Sequence, residues 1–225
     1  MCVRACGELW CSTGICSTSS LPRYHVPDLA FESRCDAPVC GIDEVGRGPW
    51  AGPVVACAVI LDPANVPVGL KDSKLVSKAR REVLAAEVLA TADVGLGEAS
   101  VAEIDRLNIL QATYLAMRRA VAGLSSSPHF ALIDGNRIPP DFPCPAQAIV
   151  KGDNLSASIA AASIVAKVAR DRMMVALAQQ YPGYGWETNA GYGVKLHQQA
   201  LQSLGITPHH RRSFKPIHKI LCEEI

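Results

Sequence analysis

Two adjacent carboxylates lie inside an apolar segment of the chain, where a buried charge is costly. They are Asp43 and Glu44, within the run Gly41–Pro49, and the apolar stretch Pro53–Leu61 follows after a turn through glycines. This pattern predicts a strand, a turn and a second, buried strand. A carboxylate on the core side destabilises such a strand unless a cation or hydrogen-bond donors compensate it. The alternative is that Asp43 caps the strand and Glu44 points to solvent.

Two further apolar runs also end in acid. Phe130–Ile133 leads directly into Asp134, and Ala146–Val150 is followed by Asp153. Each acid has a structural explanation, because Asp134 with Gly135 is a good turn pair and Asp153 precedes a predicted helix that it would cap. The recurrence of acids at three strand ends favours a shared site instead, since ligands bind at the carboxyl ends of parallel strands.

Four converging carboxylates require raised pKa values or a bound cation. The set Asp43, Glu44, Asp134 and Asp153 contains no thiolate or imidazole, so its oxygens suit Mg²⁺ or Mn²⁺ better than zinc. Two such ions about 4 Å apart form a clamp for in-line displacement at phosphate. The chemistry that these residues predict is phosphodiester cleavage.

The elements that must position these acids follow from hydrophobic periodicity and capping residues. The predicted elements are a helix from Ser77 through Ala90, a third strand at Asp93–Ala99, one helix from Ser100 to Gly123 and a long helix from Leu155 to about Gln180. Strands alternate with helices in the second half of the chain, which implies parallel pairing. We therefore expect a mixed α/β sheet, on which the alanine-rich long helix packs closely.

Composition divides the chain into three parts. Residues 1–38 carry Ser, Thr, Cys and Pro without sustained periodicity, so we expect a poorly ordered N-terminal extension. Residues 39–182 form the predicted core, and residues 183–225 are expected to form a smaller, basic, partly helical segment. That segment has no Asp or Glu between Gly191 and Leu221, which is typical of a solvated face and also of a surface that follows phosphates.

Overall composition is that of a soluble globular protein. The chain has 225 residues, 49% hydrophobic content and a formal net charge of +1. Its nine cysteines are concentrated in the first forty residues, and this odd, uneven set argues against a disulfide framework and favours reduced thiols in the cytoplasm. No apolar run is long enough to span a membrane, and the N-terminus lacks the apolar core of a signal peptide. We expect a monomer.

Several segments resemble the type 2 ribonucleases H, the bacterial ribonuclease HII group in particular. The resemblance covers about residues 39–217 and rests on Gly41–Pro49, Asp72–Lys74, Ile104–Thr113, Ile133–Asn136, Val150–Asp153, Ala160–Val168 and His209–Phe214. It implies a ribonuclease H-like fold, with a mixed five-stranded sheet flanked by helices and a small C-terminal helical segment.

The resemblance also implies an activity. Asp43, Glu44, Asp134 and Asp153 match the family's four catalytic acids, which hold two divalent ions, Mn²⁺ or Mg²⁺. The family hydrolyses the RNA strand of RNA/DNA hybrids and cuts 5′ of single ribonucleotides embedded in duplex DNA, leaving 3′-hydroxyl and 5′-phosphate ends. Its partners are therefore hybrids and ribonucleotide-containing duplexes, and its implied role is ribonucleotide removal.

Recognition of the ribonucleotide is implied for two segments. Gly46, Arg47 and Gly48 match the loop whose main chain reads the ribose 2′-hydroxyl, and Tyr192 matches the tyrosine at the DNA–RNA junction. Glycines let main-chain amides and carbonyls approach that hydroxyl directly. The alternative for Tyr192 is an ordinary surface tyrosine in a loop.

The remaining polar residues have alternatives too. Arg47 is expected to reach a phosphate, with an ion pair to one of the acids as the alternative, and Lys74 is expected to hold a phosphate or to be solvated. Arg211 and Arg212 are expected to follow the nucleic-acid backbone, unless they are surface residues only. His209 and His210 are expected to lie next to that surface. Ser163 and Lys167 are interpreted as positioning or packing residues.

The chain departs from the family pattern at three positions. Ala190 and Val194 stand where the family usually has Lys and Thr, and Leu75 stands where a second lysine often occurs. Lost phosphate contacts would weaken substrate affinity or its salt dependence. Two rival functions follow: a ribonuclease H that cuts hybrids but not at a single ribonucleotide, and a catalytically silent module that binds hybrids.

Overall fold

The computed structural model describes residues 26–223. Five strands form one sheet in the spatial order β3-β2-β1-β4-β5. Their bounds are β1 Val39–Val45, β2 Val54–Ile60, β3 Asp93–Ala99, β4 Phe130–Asp134 and β5 Ala146–Ile149. β1, β2 and β3 pair antiparallel, whereas β4 pairs parallel with both β1 and β5. The predicted mixed five-stranded sheet is confirmed.

Helices cover both faces of this sheet. Within the described chain they are α1 Lys78–Thr91, α2 Val101–Leu107, α3 Ile109–Ala122, α4 Ala157–Gln180, α5 Trp186–Asn189, α6 Lys195–Leu204 and α7 Lys215–Glu223. α1 and α4 lie on one face, and α2 and α3 on the other. None of these helices is long and apolar enough to cross a membrane.

Alternation along β1 decides which side chains face which helix. Cys40 and Ile42 belong to the core cluster on the α3 side, so Gly41 and Asp43 point toward α4. The small residues Ala160, Ala161 and Ala162 of α4 are fully buried. They allow the helix to pack closely on the sheet, as predicted, and bring it beside Asp43.

The predicted helix from Ser100 to Gly123 is two helices. The chain breaks at Asn108, whose φ is 69°. The Asn108 side chain accepts hydrogen bonds from the main-chain N–H groups of Leu110 (3.0 Å) and Gln111 (3.1 Å) and so caps α3. Asparagine tolerates positive φ and is a strong N-cap, which explains the break within an otherwise continuous apolar pattern.

Part of the expected N-terminal extension is folded against α4. Residues 1–25 lie outside the described residues, but a short 3₁₀ helix spans Glu32–Arg34. Glu32 Oε1 accepts hydrogen bonds from Ser156 Oγ (2.6 Å) and from Ser158 N (3.0 Å) and Oγ (2.6 Å). Folded structure therefore begins before Val39, contrary to the expectation for this part of the extension.

The C-terminal segment is helical and has its own apolar cluster. Trp186 lies at its centre, packed with Tyr184 and Leu201 and with Met174 of α4. Ala51, from the loop between β1 and β2, is buried in the same cluster. The segment is thus attached both to α4 and to that loop.

Candidate active site

The four predicted acids lie at the carboxyl ends of three parallel strands. Asp43 and Glu44 are in β1, Asp134 is the last residue of β4, and Asp153 lies in a 3₁₀ turn, Gly152–Asn154, just after β5. Asp43 and Asp153 are buried, whereas Glu44 and Asp134 are half-buried. The alternative that Glu44 simply points to solvent is wrong, because its side chain is only 13% exposed.

Strand register brings Asp43 beside Asp134. β1 and β4 are parallel neighbours in which Ile42 pairs with Ile133, so the next residues along both strands are these two acids. The Asp134 Oδ1 atom accepts a hydrogen bond of 2.7 Å from the Gly152 main-chain N–H. This bond links β4 to the turn that carries Asp153, and α4 begins only after Ser156, which is its actual N-cap.

Burial and mutual repulsion leave these carboxylates poorly compensated. Burial, followed by the charges of Glu44 and Asp134, raises the pKa of Asp43 well above its usual range. Burial also raises the pKa of Glu44, against the lowering effect of Arg47. For Asp153 the pKa is raised by burial and then by the carboxylates of Asp72 and Asp134, while Lys74 opposes the shift.

The donor set fits hard divalent cations by its chemistry. All four groups offer carboxylate oxygens, and a cation would relieve the repulsion that, together with burial, raises the pKa values of Asp43, Glu44 and Asp153. In the chain from residue 26 to 223, no three His, Cys, Asp or Glu side chains are already arranged to hold one ion. The strand ends place the four side chains at one edge of the sheet.

Asp72, Ser73 and Lys74 form part of the same site. Asp72 caps a short 3₁₀ helix, Ser73–Leu75, through its bond from Lys74 N (2.9 Å). The Ser163 Oγ atom of α4 donates a hydrogen bond to the hydroxyl of buried Ser73 at 3.0 Å, and Ser163 opposes the rise that burial causes in the pKa of Asp43. The positioning role expected for Ser163 agrees with this contact. Lys167 instead pairs with Asp171 at 2.7 Å.

The glycine loop and Tyr192 lie next to each other. A Cβ atom at Gly48 would be 3.4 Å from the Tyr192 ring, and that ring is 47% exposed. The Trp50 N–H donates to the Gly191 carbonyl at 2.8 Å, which ties the two loops together through their main chains. The structure thus brings together the two segments implied to recognise a ribonucleotide, although they are far apart in sequence.

Arg47 pairs with an acid of the site in this structure. Its Nη1 atom lies 3.1 Å from Glu44 Oε1, and its side chain is 51% exposed. This is the alternative that the sequence left open. The Arg47 side of this ion pair is open to solvent, which screens the attraction and weakens it.

Arg211 is not on the surface, so the prediction of a basic surface pair is wrong for this residue. Its side chain is fully buried, and its guanidinium donates to the carbonyls of Gly46 (2.6 Å), Arg47 (3.1 Å), Gly52 (2.9 Å) and Pro53 (3.1 Å). Arg212 is exposed, and its main-chain N–H bonds to Asp105. Only Arg212 of the pair is available to nucleic acid.

His210, which the sequence predicted to be a neighbour of the basic surface, is fully buried. The Thr207 N–H donates to His210 Nδ1 at 2.9 Å, so His210 Nε2 carries the proton and donates to His197 Nε2 at 3.0 Å. His197 Nδ1 then donates to the Tyr192 carbonyl at 3.0 Å. Burial and the neighbouring His197 lower the pKa of His210 to about 4, which keeps this chain of bonds neutral.

Arg170 is a residue that sequence reasoning missed. It is fully buried, yet it lies in a run of charged residues at 167–172 near the exposed half of α4. Its guanidinium donates to the carbonyls of Ala51 (3.1 Å), Pro53 (2.9 Å) and Ala190 (3.0 Å). No local sequence signal separates it from its solvated neighbour Arg172.

Comparison with known proteins gives consistent matches. The model of a family described as Ribonuclease HII matches residues 40–217. A ribonuclease HII from Jannaschia sp. (strain CCS1) is 63% identical over 196 residues, which is 87% of this chain and 98% of that protein. One from Cereibacter sphaeroides (strain ATCC 17025) is 63% identical over 202 residues, covering 88% and 95% of the two chains.

The fold is also similar to that of a solved structure. The crystal structure of ribonuclease H2 from Pyrococcus horikoshii OT3 is similar with a TM-score of 0.69 and 27% sequence identity. The similar region covers 82% of this chain and 97% of that one.

Proposed function

Because this chain belongs to the ribonuclease HII family and is an endoribonuclease, we propose that it hydrolyses the RNA strand of RNA/DNA hybrids and cuts 5′ of single ribonucleotides in duplex DNA. The products would carry 3′-hydroxyl and 5′-phosphate ends. The observation that carries the proposal is the set of four acids at the ends of β1, β4 and β5, where burial and mutual repulsion raise the pKa values of Asp43, Glu44 and Asp153.

Asp43, Glu44, Asp134 and Asp153 would hold two divalent ions, Mg²⁺ or Mn²⁺. When bound, such ions activate water and stabilise the leaving oxygen at phosphate. The protein's own contribution is to hold these carboxylates in position. The parallel register holds Asp43 beside Asp134, and the bond from Gly152 N to Asp134 keeps the turn with Asp153 against β4.

Recognition of a single ribonucleotide is supported by the contact between the glycine loop and Tyr192. Main-chain groups of Gly46, Arg47 and Gly48 would bind the 2′-hydroxyl, the only group that separates a ribonucleotide from its DNA neighbours. The half-exposed Tyr192 ring, beside Gly48, would pack on the next sugar and favour a deoxyribose there. Phosphates on either side would meet Arg47, Lys74 and Arg212.

The first test is cleavage of an end-labelled DNA duplex with one ribonucleotide, beside an RNA/DNA hybrid, in Mg²⁺, Mn²⁺ or EDTA. We expect a metal-dependent cut immediately 5′ of the ribonucleotide and several cuts in the hybrid. Cleavage of the hybrid alone would support the rival ribonuclease H that lacks junction specificity. Binding of either substrate without cleavage would support the catalytically silent module.

Tyr192→Ala separates junction recognition from chemistry. We expect a larger loss of cleavage at the single ribonucleotide than on the hybrid, because only the first substrate has a DNA–RNA junction at a fixed position. Leu196→Ala, which removes an exposed apolar side chain from nearby α6, is the matched control and should affect neither substrate selectively. Equal losses on both substrates for Tyr192→Ala would remove its proposed role.

We also propose that the protein acts as a monomer in the cytoplasm. All five cysteines in the described part of the chain are unpaired, as expected for a reducing compartment. Size-exclusion chromatography with light scattering, at micromolar concentration, tests the oligomeric state.

A further inference from the structure

Two buried guanidinium groups donate hydrogen bonds to main-chain carbonyls of the loop between β1 and β2. Arg211 bonds to Gly46, Arg47, Gly52 and Pro53 carbonyls, and Arg170 bonds to Ala51, Pro53 and Ala190 carbonyls. The Pro53 carbonyl accepts from both arginines. All acceptors are main-chain oxygens, so the two side chains determine backbone position directly.

Arg170 connects the glycine loop to the Tyr192 loop. Its Nη1 atom donates to the Ala190 carbonyl, two residues before Tyr192, while Nε and Nη2 donate to the Pro53 and Ala51 carbonyls, in the same β1–β2 connection as Gly46–Gly48. Ala190 has a φ of 50°, a conformation that non-glycine residues rarely adopt. A Cβ atom at Gly46 would lie 2.2 Å from Arg170 Nε, so the helix side chain and the loop are in direct contact.

Burial lowers the pKa of both arginines, and the charges of Asp171 and Asp105 oppose that shift for Arg170 and Arg211 respectively, but neither acid is in an ion pair with them. Neither forms a salt bridge with any residue between 26 and 223. The carbonyl oxygens satisfy them instead, in directions that a planar guanidinium can reach and a lysine ammonium cannot. A structural ion pair is therefore not the reason for arginine at these positions.

We propose that Arg170 and Arg211 are positioning residues that hold the glycine loop and Tyr192 at a fixed separation, and that this separation sets the preference for a single ribonucleotide at a DNA junction. The inference rests on the proposed function. It adds two residues that touch no substrate and act through Gly46–Gly48 and Tyr192. Displacement of either loop would lower cleavage at the single ribonucleotide while the four acids remain in place.

The test compares Arg170→Lys and Arg211→Lys with Arg172→Lys. Arg172 is an exposed arginine on the same helix that pairs with Glu82, so it is a matched control. We expect the ratio of kcat/KM on the single-ribonucleotide duplex to kcat/KM on the hybrid to fall on the order of 10- to 100-fold in the two buried variants. The control should keep the wild-type ratio.

A double-mutant comparison tests whether Arg170 affects the substrate preference through Tyr192. If Arg170 acts through Tyr192, adding Arg170→Lys to Tyr192→Ala should lower the ratio no further than Tyr192→Ala alone. An additive loss, an equal fall on both substrates, or an unchanged ratio in a folded variant would overturn the inference. Failure of the proposed function is distinguishable, because it would already appear in the wild-type chain.

Hydrogen exchange on the wild-type chain covers the case in which neither variant folds. The proposal requires the bonded N–H groups of Trp50, Gly52 and Arg211 to be protected to a similar degree and to open together. Fast and independent exchange of the Trp50 and Gly52 amides, with a protected Arg211 amide, would contradict a rigid link.

Discussion

The acid cluster at the strand ends and the two buried arginines are opposite solutions to the same problem. Both place formal charge inside the protein without a full complement of opposite charge. Each of the six guanidinium nitrogens of the two arginines donates to a main-chain carbonyl, in seven hydrogen bonds. The acids instead face one another, and burial with this repulsion raises the pKa of Asp43 well above its usual range.

This difference distinguishes the acids, which are proposed to be catalytic, from the two arginines, which are proposed to be positioning residues. A buried ion whose nitrogens all have hydrogen-bond partners gains little from a ligand, whereas crowded carboxylates gain strongly from a cation. Burial of a charged group is therefore not by itself a mark of catalysis. The role of a buried charged group depends on how many of its hydrogen bonds and charge interactions are already made within the protein.

Asp43→Asn should produce the largest effect, with opposite signs for activity and stability. We expect turnover to fall by on the order of 10²–10³ or more, because one ligand of the ions is lost. Without divalent ions, the free energy of unfolding at neutral pH should rise by on the order of 1 kcal/mol, since repulsion is relieved. Cleavage rates with Mg²⁺ measure the activity, and denaturant-induced unfolding in EDTA measures the stability. A fully active Asp43→Asn variant would refute the proposed role of Asp43 as a ligand of the ions.

Gly46→Ala tests the arginine side of the comparison. The new Cβ atom would meet Arg170 Nε at 2.2 Å, at a φ of 97° that alanine does not tolerate. We expect a loss of about 2–4 kcal/mol in the free energy of unfolding. Gly135→Ala is the control, because Gly135 also has positive φ but no atom within 4 Å of the added Cβ, so only the backbone strain of about 1–2 kcal/mol should remain. Equal losses in the two variants would mean that the contact with Arg170 is readily relieved.

The pH dependence of stability should distinguish Asp43→Asn from the wild type. Because the folded pKa of Asp43 is raised, its protonated form stabilises the wild type below the ordinary value near 4, and this contribution is lost as pH rises through the folded pKa. In EDTA, the difference in Tm between variant and wild type should therefore grow from pH 4 upward and then level off. The neutral His210, with its pKa lowered to about 4, destabilises both chains equally as pH falls and cancels in the difference. A difference independent of pH would refute a raised pKa for Asp43.

The smallest expected effects come from the exposed cations. Arg47→Ala and Lys74→Ala, made in the inactive Asp43→Asn chain, should each lower the salt slope of hybrid binding by about one unit if each contacts one phosphate. Arg172→Ala is the control, because that side chain is already paired with Glu82. Titrations of a fluorescent hybrid between low and moderate salt measure the slopes. An unchanged slope for Arg47 would leave it as a partner of Glu44 only.

Local sequence pattern was sufficient for most of the fold and for the acids. The strands, α1 and α4 follow from periodicity and capping residues, and the acids are visible because they interrupt apolar runs. The pattern failed at Asn108, where a single side chain caps a helix that hydrophobic spacing would continue. It also failed for residues 26–38, since their order depends on the distant partners Ser156 and Ser158.

The sequence by itself predicted the kind of chemistry, because four carboxylates at strand ends are compatible with one another only through raised pKa values or a bound cation, wherever the helices lie. Only the tertiary structure decided which basic residues meet solvent. Arg211 and Arg212 are adjacent in the chain, yet one is fully buried among carbonyls and the other is exposed. The physical reason is that a guanidinium can be satisfied by water or by main-chain oxygens, and the carbonyls around Arg211 come from residues more than 150 positions away in the chain.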